Sequence, residues 1–400
     1  MKKFESVAMK EENPKWGKAI SRENELYSPG FGLAPMRSEF DRDYTRIINC
    51  NGYRRLKHKT QVFFAPKNDH ICTRIEHVNL VDSISNTIAN YLGLNTELTK
   101  AIAVAHDIGH SPFGHQGERI LSEIAEREYG EKFWHGKNGL HFVDKMEYLE
   151  DKNGEEKNLN LTYAVRDGII SHCGNPDPNG LKPRDEEIVL ENDFDKPNKY
   201  NPFTWEGAVV KLADNISYLG RDLEDAKTMK LLTDRDLNTF DKAIEKITIT
   251  NSSIIGYLTN DLCENSSIEE GLKFSDEALD IMNKIKAFNS ERIYKNEKIQ
   301  PTIRYFKVLM NEIFYTLKNE YEGTATSRNI KRLKRYYPFL SDEFSSWLER
   351  YTNSPEREFR LNKEVYDLNN EEEYSKAIIA YMSGMTDGFI VRIYNEITSF

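Results

Sequence analysis

Ala101-Ile102-Ala103-Val104-Ala105-His106-Asp107-Ile108-Gly109-His110 runs an apolar helix straight into a cluster of ionisable side chains. Burying an imidazole and a carboxylate at the end of such a helix is costly unless each finds a partner. Two other stretches supply similar groups. His77 precedes Val78-Asn79-Leu80-Val81-Asp82-Ser83-Ile84, where apolar residues recur at spacings of three and four through Ile88 and Leu92 before Gly93 offers a helix stop. Val209-Val210-Lys211-Leu212-Ala213-Asp214 delivers a second carboxylate out of an apolar run. A lone histidine on an amphipathic helix is more often a satisfied or half-exposed side chain than a ligand. His77, His106, Asp107 and Asp214 together are different: two neutral imidazoles and two carboxylates suit a divalent Mn, Fe, Co, Ni or Mg ion and leave positions for water or phosphate.

Outward from these stretches the dominant period is helical, and the chain reads as all-α. The pattern predicts helices over 78–92, 97–107, 117–129, 161–172, 205–228, 234–248, 268–288, 304–320, 341–351 and 373–398. Phe306, Leu309, Met310, Ile313 and Leu317 form a stripe at helical spacing, which reads as core. Five prolines between Gly174 and Pro202 mark a long excursion rather than a linker, because a ligand helix follows it. The expected organisation is an N-terminal segment over 1–36, a catalytic helical core over 37–230 and a C-terminal helical region over 231–400 packed on that core.

Composition bounds the setting. Hydrophobic residues make up 38% and charged residues 30% of the 400, with no apolar run near the roughly 18 residues of a membrane span. The opening MKKFESVAMKEENPKWGKAI lacks the apolar stretch of a secretory signal. Cys50, Cys72, Cys173 and Cys263 lie far apart without CxxC spacing, indicating neither a zinc ribbon nor a disulfide scaffold. A reducing cytoplasm fits that pattern. The formal charge of -10 argues against broad attraction to nucleic acid, although a local basic site stays open.

Several segments carry a resemblance. They are Arg54-Arg55-Leu56-Lys57-His58-Lys59-Thr60-Gln61-Val62-Phe63, Thr73-Arg74-Ile75-Glu76-His77, AHDIGHSPFGHQGE from Ala105 to Glu118, LNLTYAVRDGI from Leu159 to Ile169, LADNISYLGRDLEDA from Leu212 to Ala226, and Tyr381-Met382-Ser383-Gly384-Met385-Thr386-Asp387. In this order, over nearly the whole chain, they resemble the HD-domain superfamily and within it the deoxyguanosine triphosphate triphosphohydrolase family. The resemblance implies the helical HD core with a metal held by His77, His106, Asp107 and Asp214, Mn²⁺ or Mg²⁺ being expected first. It further implies hydrolysis of a dNTP to the deoxynucleoside and inorganic triphosphate by attack on the α-phosphorus. An alkoxide leaving group needs a proton. His115 matches the family's catalytic histidine, and Glu118, one helical turn on, is placed to orient it.

The same resemblance assigns Arg74 and Tyr218 to substrate phosphates and Asp222 and Gln61 to the sugar 3′-hydroxyl. Arg74 has the planar fork that suits bidentate contact. The charged run from Arg54 to Lys59 reads equally as a solvated surface or as part of a segment lining the nucleotide pocket. His135 in Trp134-His135-Gly136 faces substrate, though the family usually has asparagine where Gly136 stands. His110 shares a helical face with His106 and reads as a phosphate contact, a supporting group or a second-metal ligand. His172, at a helix end, reads as structural. A homo-oligomer, with nucleotide activation at a subunit interface, is implied by resemblance alone. Two alternatives stay open: another HD phosphohydrolase, such as a nucleotidase or phosphodiesterase, and a non-catalytic nucleotide sensor, which intact His115 and Glu118 disfavour.

Overall fold

The computed structural model describes residues 2–24, 37–64, 68–150, 153–174, 179–244, 246–355 and 364–399. Parts of the 1–36 and 174–202 segments, and residue 245 of the helix expected over 234–248, lie outside them; that helix spans Asp234–Ile244, and 246–248 are not helical. The fold is all-α, with two small two-stranded antiparallel sheets: Tyr148–Glu150 with Glu156–Asn158, and Asn179–Leu181 with Leu272–Lys273.

Three helices position the metal-ligand candidates. Arg74–Leu92 starts where the Thr73 backbone N–H donates to the Glu76 carboxylate at 2.7 Å, and ends where Gly93 turns left-handed at φ 92°. Asn95 then opens Thr96–Ala105 by accepting the N–H groups of Glu97 and Leu98. Thr204 caps Trp205–Thr228 through the Gly207 N–H. These helices pack on one another and bury Val78, Val81, Ile88, Ala101, Ile102, Val209 and Leu212 in a first apolar core.

A second core is built from Gly114–Tyr129, Gln300–Lys318, Pro338–Tyr351, Glu371–Gly384 and Asp387–Thr398. The stripe from Phe306 to Leu317 lies there, as its spacing predicts. Packing crosses residue 230 in both directions. Ile254, Leu258, Ile281 and Ile285 join the first core, while Ile120, Leu121 and Ile124 join the second.

Three helix expectations are corrected. Asn251–Asn265 is a helix that the apolar pattern did not predict, begun by a Thr250 cap. The helix expected over 268–288 begins at Asp276, because Leu272–Lys273 pairs as a strand and Ser275 supplies the helix cap. The helix expected over 373–398 breaks after Gly384, where Met385 is extended and Thr386 caps a new helix. The proline-rich excursion is tied down by Arg184, whose guanidinium meets buried Asp167 at 2.5 Å. Asp167 also accepts the Phe203 N–H at 2.6 Å.

Candidate active site

The four ligand candidates converge. His77 Nε2 lies 3.1 Å from Asp214 Oδ1 and 3.6 Å from Asp107 Oδ2. His106 Nε2 lies 3.4 Å from Asp107 Oδ1 and 4.0 Å from Asp214 Oδ1. Both imidazoles are held in one tautomer from behind. His106 Nδ1–H donates to the Ala103 carbonyl at 2.7 Å. Ser217 spends its hydroxyl proton on the Asp214 carbonyl, so its oxygen accepts from His77 Nδ1 at 3.2 Å. Each Nε2 therefore turns a lone pair toward carboxylate oxygens, and buried His106 Nε2 has no hydrogen-bond partner among the described residues. Lone pairs facing carboxylates need a cation between them, and this donor set fits a divalent ion. Burial alone would raise Asp107, but His110, His106 and Arg74 hold it well below the usual carboxylate range. Asp214 is likewise held low against its burial, chiefly by its contact with His77.

The tetrad opens into a cavity of about 430 Å³, also lined by Gln61, Val62, Arg74, His110, His115 and Tyr218. That volume is in the range of small-molecule sites. Arg74, nearly fully buried, donates to Asp107 Oδ2 at 2.8 Å. His110 stacks on His135 with centroids 3.8 Å apart. Burial and Arg74 keep His110 neutral by pulling its pKa well down, and its Nε2 has no partner.

His115 leaves the second core and reaches the same cavity. Its side chain is 68% exposed, and Nδ1 lies 3.4 Å from Glu118 Oε2. The other Glu118 oxygen accepts both the backbone N–H and Nδ1–H of His135, each at 2.9 Å. Glu118 thus links two histidines; despite burial, His135 and His115 hold its pKa well below normal. For His135 the same contact, together with Cys173, outweighs burial and holds the imidazole well above its usual value.

The turn ahead of His115 is bent sharply. Phe113 has φ 63°, a left-handed conformation that costs a side-chain-bearing residue about 1–2 kcal/mol. Asp387 offsets that cost by accepting the Phe113 N–H at 2.9 Å, while its other oxygen accepts the Thr60 N–H at 2.9 Å and the Thr60 hydroxyl. The Phe113 ring stacks on Phe306 at 3.9 Å. Next comes Gly114, at φ 58°, where a Cβ would come within 2.6 Å of the Gln61 carbonyl oxygen.

On the sugar-facing candidates, Tyr294 donates to Asp222 Oδ2, and buried Asp222 Oδ1 and Gln61 Oε1 have no partner among the described residues. Burial pushes the Asp222 carboxyl up to about 7. Tyr294, Asn215, Ile299 and Cys173 also line the cavity and were not foreseen. Tyr294 sits in a widened, π-type turn at Ser290–Tyr294, a departure that leaves no apolar period to read. Of the basic run, Arg54 and Lys57 are exposed and Lys59 is buried among backbone carbonyls; only the neighbouring Gln61 and Val62 reach the cavity. His172, read as structural, does cap its helix, yet its ring lines the cavity.

With helices around a buried His-Asp tetrad, the molecule has the architecture of an HD-domain protein, and the HD domain family profile matches residues 74–219. A deoxyguanosinetriphosphate triphosphohydrolase-like protein of Desulfatibacillum aliphaticivorans is 34% identical over 71% of this chain and 75% of its own length. Another of that name from Rickettsia bellii is 30% identical over 91% of this chain and 92% of its own. The chain belongs to the deoxyguanosinetriphosphate triphosphohydrolase-like family of HD-domain phosphohydrolases. No helix among the described residues is long and apolar enough to cross a membrane.

Proposed function

We propose that the protein hydrolyses a 2′-deoxynucleoside triphosphate to the deoxynucleoside and inorganic triphosphate. The observation that carries this reading is the pairing, in one cavity, of the His-Asp tetrad with two buried and unpartnered acceptors, Asp222 Oδ1 and Gln61 Oε1. A generic phosphatase has no use for hydroxyl acceptors set apart from the phosphates. The names of the relatives support the same substrate class.

His77, His106, Asp107 and Asp214 would hold the divalent ion, Mn²⁺ or Mg²⁺ first and Fe²⁺, Co²⁺ or Ni²⁺ as alternatives. When bound, that ion polarises the α-phosphate and lowers the cost of ionising the attacking water. Arg74, His110 and Tyr218 receive the phosphates, and His135 contacts the substrate beside them. As the bond from water to the α-phosphorus forms and the bond to the 5′-oxygen breaks, His115 delivers a proton to that oxygen, and the proton lost by the water passes to solvent, from which the imidazole is recharged. Glu118 keeps the imidazole oriented. Asp222 accepts from the sugar 3′-hydroxyl, and Gln61 is a second contact to the same hydroxyl. A cytoplasmic homo-oligomer, with a nucleotide as effector, completes the proposal.

The test is product analysis by chromatography after incubating dNTPs and NTPs, singly and mixed, with Mg²⁺ or Mn²⁺. Triphosphate and free deoxynucleoside are expected in one step. Because a site built to bond a hydroxyl rejects analogues lacking it, 2′,3′-dideoxynucleoside triphosphates should turn over much more slowly. Asp222→Ala should shrink that preference. Monophosphate and pyrophosphate as products would point to another HD phosphohydrolase.

A further inference from the structure

One wall of the cavity carries a second set of donor atoms, and we infer that His135, His172 and Cys173 form a distinct binding site for a thiophilic divalent cation such as Zn²⁺. His135 Nε2 and His172 Nε2 are 3.2 Å apart, and Cys173 Sγ lies 3.0 Å from the first and 3.5 Å from the second. A tetrahedral zinc with bonds of about 2.0–2.3 Å separates its ligand atoms by about 3.3–3.7 Å, so closure needs a shift of about half an ångström at most. All three residues line the cavity, which leaves the fourth position to water or a phosphate oxygen.

The surroundings prepare these atoms for a cation. His172 Nδ1–H donates to the Ile169 carbonyl at 2.7 Å, and His135 Nδ1–H donates to Glu118, so each ring turns its Nε2 toward the other. Two lone pairs and a sulfur then share one small space, and the thiol proton can satisfy only one of the nitrogens. A proton on His135 Nε2 is the rival occupant. Buried Lys211 donates to the Ser171 and Cys173 carbonyls, each at 2.9 Å, which fixes the backbone on both sides of His172 and puts an ammonium near the sulfur. Space for that sulfur comes from Gly136, where a Cβ would stand 2.5 Å from Sγ.

On binding, the sulfur becomes a thiolate and its proton passes to water. The cation takes the Nε2 lone pair of His135, so its occupancy should slow turnover; that consequence, unlike the site, rests on the function proposed above.

Co²⁺ is the probe that separates the two metal sites. Titration of the full chain should show two bound equivalents, with a thiolate-to-cobalt charge-transfer band in the near ultraviolet. Asp214→Ala should keep the band while losing the tetrad's ion; Cys173→Ser should lose the band and keep that ion. Elemental analysis after zinc loading should count one zinc fewer in Cys173→Ser than in the parent. If Cys173→Ser does not fold, His172→Gln serves instead, with a weakened or shifted band expected. Absence of the band in the parent, or its persistence unchanged in the variant that folds, overturns the site and leaves His135 holding a proton. Zinc inhibition of Mn²⁺-supported turnover should be at least about tenfold weaker in Cys173→Ser; equal inhibition would overturn the regulatory consequence, while the cobalt and zinc counts judge the site whatever the substrate proves to be.

Discussion

The helices that bring His77, His106 and Asp214 together are rooted in the first apolar core, whereas the helix that carries His115 and Glu118 packs against Gln300–Lys318 and Glu371–Gly384 in the second. The proposed metal ligands and the proposed proton donor are therefore mounted on different parts of the packing. The cavity sits where the two meet, and a few polar contacts set its registration. Glu118 reaches across to His135, Asn138 donates to the Gly109 carbonyl at 2.7 Å and to Ser383 at 3.2 Å, and Asp387 joins Thr60 to Phe113. Loss of either mounting should leave the other recognisable.

The largest effect is expected from breaking the first core's contribution alone. Asp107→Ala or Asp214→Ala should bind one equivalent of metal fewer than the parent by elemental analysis and lower turnover on the order of a thousandfold or more. A metal content equal to the parent's in either variant would remove these residues from the ligand set. Breaking the second contribution is the complement. His115→Ala should bind metal and dNTP nearly as the parent does while losing about two to four orders of magnitude in kcat. Activity within a few-fold of the parent would reassign His115 as structural.

Cutting the joint between the cores gives a third, smaller effect. Asp387→Ala removes the acceptor of three donors and leaves the left-handed Phe113 without its restraint. A loss of about 3 kcal/mol in unfolding free energy is expected from denaturant titration. Among molecules still folded, kcat should fall more than metal affinity does, because the joint aims His115 and not the tetrad. An unchanged kcat together with reduced stability would show that His115 finds its place without Asp387.

A pH effect sharpens the comparison from within the first core. In the unfolded chain Asp222 titrates near 4, whereas burial holds it at about 7 in the fold. The folded state thus binds more protons between those values. The stability contributed by protonated Asp222 is full below about pH 4 and is lost as pH rises toward about 7. Asp222→Asn should flatten that part of the melting-temperature profile measured without metal. A profile that stays as steep would place the titration on another buried acid, such as Asp225, also raised, to about 6.

These mountings differ in how far they could be read from the chain. Apolar runs ending in His106-Asp107 and Asp214 announced buried ionisable groups, because burial of that kind needs a partner, and the same periodicity located the ligand helices to within a few residues. The spacing of His115 and Glu118 placed both on one turn, which the structure keeps. It did not reveal that Glu118 also holds His135, since that contact joins separate helices. Tyr294 and Cys173 were illegible for a related reason: one lies in a widened turn, and the other is admitted by a glycine distant in sequence. The break at Gly384-Met385-Thr386 was hidden by apolar residues whose spacing runs on across it. Only the Thr386 cap marks the restart.

The Asp387 joint also orders events in time. Translation delivers the tetrad's residues and His115 well before Asp387, so a nascent chain that has already gathered the helices of the His-Asp tetrad still lacks the carboxylate that restrains the turn ahead of His115. The strained Phe113 turn is left without that restraint until the closing helix docks. Under the proposed function, competence for hydrolysis waits on that docking.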